Sequence, residues 1–78
     1  MPKRGRVLRA GNPLFVWRST HNWTRMQIAR EFGLHSVTTV YNWESGITNP
    51  GPFFTEIARL MKIKERTLRE EWEAWQYS

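Results

Sequence analysis

The chain contains no cysteine, which excludes a disulfide framework and any thiolate zinc site and makes a reducing compartment its natural setting. Its only histidines are His21 and His35. They lack helical i, i+4 spacing and have no acidic cluster to complete a coordination shell, so surface or capping roles are expected and no metal. No apolar run approaches the roughly 20 residues of a membrane helix, and the start MPKRG has no signal-type apolar stretch behind it. A soluble, unexported protein with no membrane contact is the expectation. Nothing alternates with the two-residue period of a strand, and there is no repeat, heptad array or low-complexity run. Also missing are a nucleophile with a neighbouring base, paired carboxylates and a glycine-rich phosphate loop. The chain is therefore not expected to be an enzyme, and neither a cofactor nor a small-molecule ligand is expected.

Acidic residues are scarce where cations are dense. Lys3, Arg4, Arg6, Arg9, Arg18, Arg25 and Arg30 precede the first acid, Glu31, whereas Glu65, Glu70, Glu71 and Glu73 crowd the other end. The net charge is +5 and the pI about 10.5. A polyanion partner suits such a balance, and its asymmetry points to one phosphate-facing end.

What is present in quantity is aromatic surface: 14% of 78 residues, five of them Trp. Large rings supply apolar area that a short chain otherwise lacks, so one small domain over 12–78 is feasible. Residues 1–11 hold cations, glycines and a proline without a period. They read as a flexible basic arm whose Lys3, Arg4, Arg6 and Arg9 are spaced to follow a groove or a line of phosphates.

Asn12-Pro13 starts a helix, with Asn capping free amides and Pro in the first turn. That helix is expected from Pro13 to Thr20, with Leu14 and Trp17 inward, Phe15 elsewhere on an exposed or dimer surface, and Trp23 plugging the corner that follows. Thr24-x-x-Gln27 is a capping box opening a second helix over about 24–32. Ile28, Ala29 and Phe32 share its inner face and Gly33 ends it. Ser36 caps a third helix over about 36–45, with Val40 and Trp43 inward and Gly46 closing it.

The prolines of 47–52 make a stiff loop. A helical pattern returns from Phe53 to Met61, with Phe53 or Phe54, Ile57, Ala58 and Met61 inward. A last helix over about 64–76 carries a stripe of Leu68, Trp72 and Trp75. Trp75 and Tyr77 reach past the expected end of the core, so self-association through this helix or the Phe53-Phe54 region is expected.

Several of these pieces match a known pattern: Arg18, Trp23-Thr24, Ile28-Ala29, Phe32-Gly33-Leu34, Trp43-Glu44-Ser45-Gly46 and Asn49-Pro50, followed by the stretch from Ile57 to Ile63. Together they resemble the Cro/repressor-type helix-turn-helix family, also called XRE-like or lambda-repressor-like, over about Leu14 to Leu68. The resemblance implies an all-α, compact five-helix domain whose third helix enters the major groove. Double-stranded DNA is then the expected partner, and a homodimer on a palindromic operator the expected assembly. It also implies a phage or mobile-element transcriptional regulator, a repressor acting by operator occupancy in the bacterial cytoplasm, the nucleoid or a phage-infected cell. In the family an arginine of the first helix pairs with the glutamate ending the third; the matching residues are Arg18 and Glu44.

Counting back from Glu44, with Val40 and Trp43 inward, leaves Val37, Thr38, Tyr41 and Asn42 for base readout. Asn suits adenine N6 and N7, Thr either base type, and Val a thymine methyl. Phosphate contacts are expected at helix starts, from Thr24 and Arg25 and from His35 and Ser36. The resemblance adds the loop amides of Ile47, Thr48 and Asn49. The chain departs from the family by one extra residue between Gly33 and Val40, which predicts a late start of the third helix or a bulge at His35. Its connection from Pro50 to Ile57 is one residue shorter, with Gly51-Pro52 in place of polar capping residues. The competing reading is a small protein-interaction module, antitoxin-like or phage partner-binding, that uses the helical domain or its aromatic last helix.

Overall fold

The computed structural model describes residues 11–77; Lys3, Arg4, Arg6 and Arg9 lie outside them. Among the described residues there are five helices and no strand: α1 Pro13–Thr20, α2 Arg25–Glu31, α3 Val37–Ser45, α4 Phe53–Met61 and α5 Glu65–Gln76. The main packing pairs are α2 with α3, α4 with α5, and α1 with α5.

Local chemistry sets most helix ends. Asn12 Oδ1 accepts the Phe15 amide at the start of α1. At α2 the Thr24 hydroxyl accepts the Gln27 amide while Gln27 Oε1 accepts the Thr24 amide, so two orphan donors are satisfied reciprocally. Ser36 Oγ takes the Thr38 amide and starts α3. Helix α4 has no side-chain cap. Its first amides, Phe53 and Phe54, donate instead to the carbonyls of Pro50 and Gly51, which is how the Gly51-Pro52 connection dispenses with a polar cap.

Three helices stop at a left-handed residue: α2 past Gly33 (φ 69°), α3 at Gly46 (φ 79°) and α4 at Lys62 (φ 62°). In each case the following amide reaches back to a last-turn carbonyl: Leu34 to Ala29, Ile47 to Asn42 and Ile63 to Ala58. At the α4–α5 junction the Thr55 hydroxyl and Arg69 both donate to Glu65. The Thr55 hydrogen bond, then Arg69, holds the Glu65 carboxyl below its ordinary value.

The core gathers a stripe from every helix: Leu14, Ile28, Val40, Ile57, Leu68 and Trp72 are fully enclosed, with Ala29, Trp43, Phe54, Ala58 and Trp75 nearly so. Trp72 stands edge-on to both Phe54 and Trp75, at centroid distances of 5.3 and 5.8 Å. Such pairs add to the area that rings already remove from water.

One expectation needs correction and two are narrowed. Trp75 is not surplus to the core: it is only 6% exposed, because the backbone at Gly46 lies against its ring. A Cβ at Gly46 would sit 3.3 Å from Trp75 Cη2. Of the phenylalanine pair Phe54 is the buried one, and Phe53 is half-buried between Phe32 and Trp43. Met61 and Trp17 are half-buried against the core rather than inside it.

Candidate nucleic-acid interface

The candidate interface is built on α2, α3 and the turn between them. Its anchor is Glu44 in the last turn of α3, a carboxylate with no exposed surface. Arg18, from α1, meets it with two nitrogens: Nε to Oε2 at 2.7 Å and Nη2 to Oε1 at 3.1 Å. The remaining Arg18 nitrogen, Nη1, donates to the Trp23 carbonyl at 3.0 Å. One planar guanidinium thus ties together α1, the α1–α2 corner and α3, a geometry that an ammonium cannot reproduce.

A second cation shares the carboxylate. Arg25, the first residue of α2, donates from Nε to Glu44 Oε1 at 3.1 Å, and its Cζ lies 5.3 Å from the centre of the Tyr41 ring. Arg25 was expected on phosphate alone, and these two contacts are additional to that expectation. Arg25 and Glu44 are 19 residues apart on different helices, and no local spacing marks such a pair.

A buried carboxylate is tolerable only with its charge and lone pairs matched, and removing one partner of such a pair costs about 3–5 kcal/mol. Arg18 is 11% exposed and Arg25 is 32% exposed, so Arg18 carries more of that dependence and Arg25 remains open to solvent.

The outer side of α3 differs from its anchored side. Val40, Trp43 and Glu44 are buried, whereas Val37, Thr38 and Tyr41 are exposed and Asn42 is half-buried. Thr24, His35 and Ser36 are exposed at the starts of α2 and α3. The Thr24 and Ser36 hydroxyl oxygens already accept helix amides. In the connection between the two helices, α2 ends at Glu31, His35 stands exposed in a bend, and α3 begins after Ser36.

Two of the loop amides after α3 that the resemblance assigned to phosphate are engaged within the domain. The Ile47 and Thr48 amides both donate inward, to the Asn42 carbonyl, at 3.0 and 3.4 Å. They close the C-terminus of α3, whose free carbonyls need donors. The Thr48 and Asn49 side chains remain exposed.

Neither histidine is close to a set of metal-ligating groups: among the described residues no cluster of three such side chains occurs. His21 stacks on Trp17 with centroids 4.3 Å apart, and its Nδ1 lies 2.9 Å from the Trp17 carbonyl. No described helix is long and apolar enough to cross a membrane. Compared with protein families, curated proteins and solved structures, the chain matches none.

Proposed function

We propose that this chain is a sequence-specific double-stranded DNA-binding domain of the Cro/repressor helix-turn-helix type, with α3 as the helix that enters the major groove. The carrying observation is the asymmetry of α3. One side is immobilised through Glu44 by Arg18 and Arg25, while Val37, Thr38 and Tyr41 face solvent beside a partly exposed guanidinium. Readout of base edges requires side chains held to a fraction of an ångström, and a locked helix with a polar outer face meets that need.

In this reading Thr38 and Asn42 bond base edges, Val37 and Tyr41 pack against them, and Arg25, Thr24, His35 and Ser36 meet phosphates. Thr48 and Asn49 add side-chain contacts. The cations Lys3, Arg4, Arg6 and Arg9 contribute sequence-independent attraction. The domain acts as a homodimer that represses by occupying a palindromic operator, as a phage or mobile-element regulator would in a bacterial cytoplasm.

Titration of labelled random duplex at two salt concentrations tests the first step: binding is expected, tighter at low salt. Selection of a preferred site, repeated with Thr38→Ala and Asn42→Ala, tests the second. Each substitution is expected to relax preference at one position at a cost of about 1–3 kcal/mol. If both variants select the same site as the unmodified chain, α3 is not the reading helix.

A further inference from the structure

An apolar groove of about 720 Å³ lies between α1 and α5, with Val16 and Trp17 from the first helix and Ala74 and Trp75 from the last among its lining. It runs on into a second hollow of about 310 Å³ that reaches Trp23 and Leu60, because Trp17, His21 and Met61 line both. Formal charge sits at the two ends of this strip. Glu71 is the one carboxylate lining the first hollow and Lys62 the one cation lining the second. Both are exposed, and neither makes an ion pair among the described residues. An apolar centre with charge at its rim is the make-up of an interface between proteins.

The strip itself identifies its occupant. A two-fold contact sets residue i against j and j against i. A strip with an acid at one end and a cation at the other is therefore complementary to itself once turned end for end. The strip also carries its own ridge: Val16 is 47% exposed although it lines the groove, and Thr20, one turn further along α1, is exposed as well. A ridge beside a groove on the same surface is what ridge-into-groove packing of two such helix pairs requires. Pairing here also leaves the proposed reading helix free, since no residue of α2 or α3 lines either hollow.

We propose that the α1–α5 groove is the surface on which two copies of this chain pair about a two-fold axis. The Val16 ridge of each copy enters the groove of the other, over a floor that includes the nearly buried Trp75, and Glu71 of each copy meets the partner's Lys62. This inference rests on the homodimer of the proposed function and names its surface. The axis passes near the stretch shared by the two hollows, so Thr20, next to His21, comes close to its own copy.

Because the chain has no cysteine, a single Thr20→Cys substitution can cross-link only between copies. Oxidised without DNA, that variant is expected to form a disulfide-linked dimer at least tenfold faster than a Thr38→Cys control on α3. In sedimentation, Glu71→Lys is expected to weaken self-association about tenfold, since two exposed attractions become repulsions. Adding Lys62→Glu is expected to restore it. Adding Arg66→Glu instead, equal in net charge but away from the groove, is expected not to. Equal cross-linking of the two cysteine variants overturns the proposal, as does an unmodified chain that stays monomeric or rescue by both acidic substitutions alike. Selection of a palindromic DNA site without cross-linking at Thr20 overturns it too, and places the dimer contact elsewhere. Cross-linking and charge rescue in a chain that binds no DNA support this surface and count against the DNA reading alone.

Discussion

Glu44 is the residue on which the arrangement of α3 depends most. It is wholly buried between Arg18 and Arg25, so Glu44→Gln leaves two guanidiniums without a counter-charge. Urea denaturation should show a loss of about 3 kcal/mol, at the lower end of the range for an orphaned buried partner. Arg25→Ala should cost about 1 kcal/mol or less, because Arg25 is a third exposed and solvent screens what it contributes. Equal losses in the two variants would mean that the carboxylate is solvated in solution.

Glycines supply a second comparison at this scale. Gly33 and Gly46 both adopt the left-handed region, but only Gly46 has Trp75 within reach of an added Cβ. Gly33→Ala should cost about 1 kcal/mol, the conformational term alone. Gly46→Ala should cost measurably more, and thermal melts of the two variants separate packing from dihedral strain.

Helix ends are set by neighbours within a few residues. Thr24→Ala removes one half of the capping box of α2, and Ser36→Ala removes the cap of α3. Each should lower stability by about 1 kcal/mol, and in the proposed function each should also reduce DNA affinity by weakening the helix start that meets phosphate. At the α4–α5 junction, Glu65 titrates below its ordinary value of 4.5, chiefly through the Thr55 hydrogen bond and then Arg69. A depressed carboxylate contributes stability that is present above the unfolded value and lost as pH falls through the folded one. Thr55→Val should therefore move the Glu65 titration upward by nuclear magnetic resonance, and should leave the chain less acid-tolerant than the unmodified protein. An unmoved titration would mean that the hydroxyl bond does not form in solution.

At the scale of the whole molecule, the proposed function rests on charge as well as shape. Replacing Lys3, Arg4, Arg6 and Arg9 by Gln should lower the slope of log affinity against log salt by about 0.9 for every phosphate no longer neutralised. Site preference should be retained, because the arm carries no base contacts in this reading. Fluorescence anisotropy at several salt concentrations measures both. An unchanged slope would remove the arm from the DNA interface. The proposed homodimer has to use surface other than Trp75 and Phe54, which are buried in the core, and sedimentation of a Tyr77→Ala variant tests the exposed aromatic that follows α5.

The helices were legible in the sequence because the signals that begin and end them are local. Asn12-Pro13, Thr24-x-x-Gln27, Ser36 and Gly46 act on amides and carbonyls no more than five residues away, and apolar spacing along each helix named the faces it would bury. Contacts between elements were less legible. The pairing of Arg18 with Glu44 was accessible only through resemblance, and that of Arg25 with Glu44 and Tyr41 not at all, since nothing in a sequence records which side chains meet across two helix ends. The same holds for Trp75. Its position in the stripe of α5 was plain, but whether it lay inside or beyond the core depended on Gly46 packing onto its ring. The sequence by itself determined where helices start, stop and turn their apolar sides, because short-range hydrogen bonding and periodicity decide those. The tertiary structure alone decided which charges share the buried carboxylate, where the loop amides after α3 point and where an apolar groove remains open, because each depends on how whole helices settle against one another.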